Sequence, residues 1–192
     1  MKVKTGLTRQ IEKALKYSTS KIGTFGCFEV TIGINGNERV DYMTYDTKGI
    51  WKCYEIKISK KDFYSKAKVS FYGNLNYYVM TKELYEEVRQ DIPSEIGVYE
   101  YFGGLKCIKR ATKQILKIDE DILKYSMIRS LSRDSDKLYN TENENYINNL
   151  NNRIKQCVYK EREAQVKYNL LEDAIKEEFG SPKLRELKNK YF

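Results

Sequence analysis

Apolar and polar positions along the chain fall into two regimes that meet near residue 118. In the first regime, short alternating runs with the period of a half-buried strand are separated by stretches with helical spacing. Leu7, Ile11 and Leu15 recur every four residues, with Ala14 beside them, which predicts a helix over 5–18 capped by Thr8. Residues 25–34 alternate, with Phe28, Val30, Ile32 and Ile34 on one face and Cys27, Glu29 and Thr31 on the other. Asn35-Gly36-Asn37 reads as a three-residue turn that pairs Ile32 with Val40 and Val30 with Tyr42. Thr47-Lys48-Gly49 reads as a second three-residue loop, with Gly49 in the left-handed conformation. It sets Asp46 against Ile50, so paired numbers sum to 96 (46 plus 50). Ser59, with Asp62 three positions later, opens a helix expected to reach about Phe71. A buried strand over 75–81, a short helix over 82–90 and strands over 98–102 and 105–110 follow. Helix, three strands, helix, strand is an α/β order.

From Asp119 the pattern changes, and glycine is absent until Gly180. A helix is expected over 119–131, with Ile122, Leu123, Met127 and Leu131 as its apolar stripe, then a polar linker over 132–145. Residues 146–179 carry Ile147, Leu150, Ile154, Cys157, Ala164, Tyr168, Leu171 and Ile175 at alternating three- and four-residue spacing, broken once at Glu161. Gly180 ends this helix, and Ser181-Pro182 starts a last one with Leu184, Leu187 and Tyr191 inside. The expected organisation is therefore an α/β domain over 1–118 and a helical extension over 119–192. The coiled-coil-like helix either pairs with a second copy, giving a homodimer, or folds back on the first domain.

Composition narrows the chemistry. The chain has 192 residues and no histidine, and its four cysteines (Cys27, Cys53, Cys107 and Cys157) are far apart in sequence. Zinc-finger spacing, Cys/His and Ser/His/Asp catalysis are thereby excluded, which leaves carboxylates and lysines. Mean hydropathy is −0.69, and no stretch approaches the ~20 apolar residues of a membrane span, so a cytoplasmic protein without a membrane partner is expected. Residues 1–118 hold 21 Lys and Arg against 13 Asp and Glu, a difference of 8 that equals the whole net charge of +8. Such a basic surface attracts polyanions, and nucleic acid is the expected partner.

The excess charge surrounds an acidic patch. Alternation from Trp51 puts Cys53, Glu55 and Lys57 on one strand face, and Ile50, Tyr54, Ile56 and Ile58 on the other, expected to be the buried one. The loop register brings Asp41 opposite Glu55, and Glu29 diagonal to Asp41 as an auxiliary carboxylate. Two carboxylates directly opposite in a ladder require a cation between them or a shifted pKa. A hard divalent ion such as Mg2+ suits those oxygens and binds substrate phosphate as well. The plain alternative is an exposed strand face with ordinary surface charges. Lys60, Lys61, Lys66 and Lys68 follow on the next expected helix, either to hold phosphates or as a solvated face.

Asp41, then Glu55-Ile56-Lys57, resembles the PD-(D/E)XK nuclease signature, with Val40 where that name has proline. The ordered blocks RVDYM, WKCYEIKISKKDF, LNYYVM and IPSEIGVYEY resemble the MmcB-type DNA-repair proteins of that superfamily over about residues 7–113; Lys66 departs from the acidic residue expected there and Lys68 fits. The resemblance implies a restriction-endonuclease-like αβββαβ core and a metal-dependent DNA nuclease acting in DNA repair or phage and host DNA processing. It implies Mg2+ or Mn2+ held by Asp41, Glu55 and the carbonyl of Ile56. Glu29, and Glu12 from the first helix, would reach the ion through water, and Lys57 would act on the water or the phosphate. The alternative is an inactive nuclease-like module, binding DNA or protein and working through its helical extension.

Overall fold

In the computed structural model, residues 4–33, 36, 38–65 and 70–191 are described. One six-stranded sheet carries the first compact unit, in the order β1-β2-β3-β4-β5-β6. Its strands are β1 (Thr24–Thr31), β2 (Arg39–Asp46), β3 (Trp51–Ile56), β4 (Leu75–Thr81), β5 (Gly97–Tyr101) and β6 (Leu105–Lys109). β3, β4 and β5 run parallel, and the outer neighbours pair antiparallel. The parallel β3–β4 step needs a crossover. Among its described residues it has one helical turn, α2 (Lys60–Phe63), which stops short of the helix expected to reach Phe71. Ser70 is already buried and Phe71 packs on the core, which pulls the chain back to the sheet.

α1 (Gly6–Thr19) is capped by Thr5, whose hydroxyl accepts from the Thr8 N–H, rather than by Thr8. It buries Ile11 and Leu15 on the sheet face formed by Tyr42, Tyr54, Ile56, Tyr77 and Val79. The opposite face has two covers. α3 (Lys82–Val88) puts Leu84 and Val88 on Tyr78, Met80 and Val98. α4 (Glu120–Thr141) puts Leu123 and Met127 on Cys27, Val40, Met43, Trp51 and Cys53. Trp51, fully buried, donates from Nε1 to Glu120 Oε1 at 3.1 Å. Ser126 accepts from the Gly33 N–H at 2.9 Å, and Arg129 donates to the Thr31 carbonyl at 2.9 Å, so α4 also ties down the outer strand.

These contacts revise the expected division. The compact unit runs to Ser135, and α4 continues to Thr141 through the expected linker. Its buried positions are Leu123, Ser126, Met127 and Ser130, while Ile122 and Leu131 are exposed. Two small serines let the helix lie close to the sheet, and apolar periodicity does not register them.

The β2–β3 hairpin has the expected register, with Tyr42 on Tyr54 and Met43 on Cys53, and Gly49 at φ 77°. The β1–β2 register differs by two residues. Val30 pairs with Val40 and Phe28 with Tyr42, and the Ile32 N–H bonds the Glu38 carbonyl at 3.0 Å. Glu29 lies between these pairs at φ 51°, and this kink puts Cys27 and Val30 on one side of the sheet.

The second unit covers residues 136–192 and contains α5 (Glu144–Tyr191), bent at Gly180, where φ is 80°. After the bend the chain returns along itself: Lys188 pairs with Glu172 and lies 5.6 Å above the Tyr168 ring, and Leu184 is buried. Leu187 is half-buried, and Tyr191 is exposed rather than inside. Among the described residues, no helix is long and apolar enough to cross a membrane.

Candidate functional site

β3 positions the site. Its alternation sends Glu55 and Lys57 to the Trp51 side, as expected, but that side is no exposed face. Glu55 is 5 % exposed and Lys57 6 %. The Lys57 backbone N–H bonds the Val79 carbonyl at 3.0 Å, so the chain stays against the parallel neighbour past the end of β3. Asp41 stands one step beyond the Tyr42–Tyr54 pair, opposite Glu55. Its Oδ2 accepts from the Ile56 N–H at 2.9 Å, which fixes the carboxylate beside β3.

The two carboxyls touch. Glu55 donates a side-chain hydrogen bond to Asp41 and accepts one from the Ser70 backbone. Oε1 of Glu55 is nonetheless buried without a hydrogen-bond partner. Burial, then the Asp41 charge, push the Glu55 carboxyl far above the usual carboxylate range, with Lys57 pulling the other way. Burial also raises Asp41, against the pull of the Ile56 N–H and the Lys57 ammonium. A proton therefore lies between the two acids near neutral pH. This arrangement holds a cation-shaped demand: an orphaned acceptor, a shared proton and one nearby ammonium.

The other expected ligands gather elsewhere. Lys4 Nζ sits 2.6 Å from Glu12 Oε1 and 2.7 Å from Glu29 Oε1, and Arg39 lies 3.5 Å from Glu29 Oε2. Lys4 holds the Glu29 carboxyl below its ordinary range. Glu12 stands on α1, which packs on the sheet face opposite to Glu55. Glu29 belongs with it because the kink turns its side chain out of the strand alternation. Among the described residues, no group of three or more acidic or cysteine side chains forms a metal-ligating cluster. The expected five-ligand set thus divides into Asp41, Glu55 and the Ile56 backbone on one hand, and Glu12 and Glu29 around Lys4 on the other. Lys4 was invisible to pattern reasoning, since a single lysine ahead of a helix carries no periodic signal.

Lys60 and Lys61 are exposed on the turn after β3. Lys66 and Lys68 lie outside the described residues.

No family model matches the sequence, and no curated protein matches it. In fold, the chain is similar to the SPO1766 protein of unknown function from Silicibacter pomeroyi. The two share 16 % identity at a TM-score of 0.54, over 74 % of this chain and 94 % of that one. That likeness is one of fold alone.

Proposed function

We propose that the chain is a metal-dependent phosphodiesterase acting on DNA, with its reaction centre at Asp41, Glu55 and Lys57. One observation carries the reading: two carboxyls in contact, buried beside a lysine, with Glu55 Oε1 unsatisfied. Such a pair is costly unless a cation serves it. Asp41, Glu55 and the Ile56 carbonyl make an all-oxygen donor set, which suits Mg2+ or Mn2+. When bound, the ion would polarise a scissile phosphate and acidify a water. The chain's own parts are then distinct. The Ile56 N–H holds Asp41 in place before substrate arrives. The Lys57 ammonium meets the negative charge that grows on the phosphate, or orients the water. Burial of Glu55 and Lys57 keeps bulk water away, which strengthens both interactions. Glu12 and Glu29 take no part while Lys4 neutralises them.

With Mg2+ or Mn2+, purified wild-type protein is expected to cut DNA. Lys57→Ala should lower cutting on the order of a hundredfold or more in a chain that still melts cooperatively, at a lower midpoint because the buried acids lose their ammonium. Cutting that is the same in wild type, Asp41→Ala and Lys57→Ala belongs to a contaminant and removes the proposal.

A second reading, a binding module that works through its helical extension, draws on α5. Ile147, Ile154, Cys157 and Leu171 stand exposed along it, at the spacing by which two helices pair. On this reading the chain is a homodimer joined through that stripe. Light scattering over a hundredfold concentration range should then show mass rising to twice the monomer, and Ile154→Asp should hold it at monomer. A wild-type chain that stays monomeric throughout rules this pairing out.

A further inference from the structure

α1 has a second side that neither the core nor the acidic site uses. Ile11 and Leu15 face the sheet. Arg9, Lys13, Lys16 and Tyr17, spaced i, i+4, i+7 and i+8, share the outer side and are all exposed, Tyr17 at 89 %. Glu12, the helix's single acidic residue, is engaged by Lys4. Beyond the helix the cationic surface continues into two loops held together: the Thr47 N–H bonds the Gly23 carbonyl, and the Thr24 N–H the Lys21 carbonyl, both at 2.9 Å. These loops expose Lys21 and Lys48. The acidic residue at that end, Asp46, turns its Oδ1 to the backbone N–H groups of Lys48 and Ile50. None of Arg9, Lys13, Lys16, Lys21 or Lys48 forms an ion pair among the described residues.

Resting on the phosphodiesterase reading above, we propose that this outer side of α1, with Lys21 and Lys48, is the track that holds the substrate strand, and that the strand is single. Charge complementarity selects the partner, since five unpaired cations without an opposing acid fit a polyanion. The axial steps from Arg9 to Lys13 and from Lys13 to Lys16 are about 6 and 4.5 Å, so the cations can follow successive phosphates. A phenol ring almost wholly in water offers a face on which an unpaired base stacks. An anionic membrane fits less well: a helix lying in a lipid interface inserts its apolar side, and that side of α1 is spent in the core.

Binding is read by fluorescence anisotropy on the full chain in EDTA, with labelled oligothymidylate of about 20 nucleotides, longer than the ~4–16 a single groove occupies. A duplex of the same length and vesicles containing phosphatidylserine serve as competing probes. The combined variant Arg9→Gln/Lys13→Gln/Lys16→Gln should bind the oligothymidylate more than tenfold more weakly at low salt. Its dependence of log affinity on log salt should be shallower by about 2, near the 0.7 per contact of a single strand. Tyr17→Ala should weaken the single strand roughly tenfold and leave the duplex unchanged. All these side chains are exposed, so the melting transition should not move. Because no metal is needed, a failed hydrolysis reading would show as absent cutting with binding intact. An unchanged salt slope in the combined variant overturns the track. So does an equal loss in Lys60→Gln/Lys61→Gln, or tighter binding to vesicles than to the oligothymidylate.

Discussion

Glu55→Gln is expected to make the metal-free protein more stable and, at the same time, nearly inactive. In the wild type at pH 8, two buried carboxyls in contact share one lysine. A neutral amide at position 55 removes the repulsion and leaves Asp41 free to ionise against Lys57 and the Ile56 N–H. The gain should be about 2 kcal/mol at pH 8, within the range seen when buried charges are replaced by neutral groups. For a chain of this size that is a rise of roughly 6 °C in the melting midpoint. The pH dependence has a definite sign. The folded-state pKa of Glu55 lies above its ordinary value, so the folded state holds more protons than the unfolded one in the window between the two. Wild-type stability is then fully present below the ordinary carboxylate range and falls as pH rises through the raised pKa. The advantage of Glu55→Gln should therefore be largest near pH 8 and vanish toward pH 4. Added Mg2+ should raise the wild-type midpoint and leave the variant's where it is, by the linkage of binding to folding. Hydrolysis should fall on the order of a thousandfold. Thermal melts from pH 4 to 9, with EDTA and with Mg2+, decide the matter. A variant less stable than wild type at pH 8 would show that the pair is already well served by its neighbours.

What the sequence made legible follows from how local each signal is. The β2–β3 hairpin was readable because Thr47-Lys48-Gly49 fixes the register by turn chemistry, and with it the meeting of Asp41 and Glu55. The β1–β2 register was not. A slip of two residues does not by itself change the alternation of faces, so alternation has no power against it. Only the backbone kink at Glu29 distinguishes the two. The same kink explains why Glu29 parts from Asp41, and no residue type announces a positive φ at a glutamate. The burial of both sheet faces was hidden for another reason. Trp51 and Cys53 read as the open side of β3 because the helix that covers them comes some 70 residues later and buries two serines.

That late helix sets the other large expectation. A chain ending at residue 118, the boundary that composition marks, should not fold, whereas one ending at residue 141 should. Without α4, the fully buried Trp51, Met43, Cys53 and Val40 lose their cover, and Leu123 and Met127 leave the core. Removing one large core side chain costs about 2–5 kcal/mol, and here two go while a tryptophan is bared. The total meets or exceeds the ~5–15 kcal/mol that holds a typical domain together. Loss of the Arg129 and Ser126 bonds also frees the outer strand and the Gly33 turn. The shorter chain should show no cooperative melt and a poorly dispersed amide spectrum. The longer one should melt cooperatively, within a few degrees of the first transition of the whole chain. A cooperative melt from the chain ending at 118 would mean that the sheet is stable with that face open, and that α4 is an ornament rather than a wall of the core. Leu123→Ala in the whole chain separates these cases without truncation. It should cost about 3 kcal/mol if the helix belongs to the core, and almost nothing if it does not.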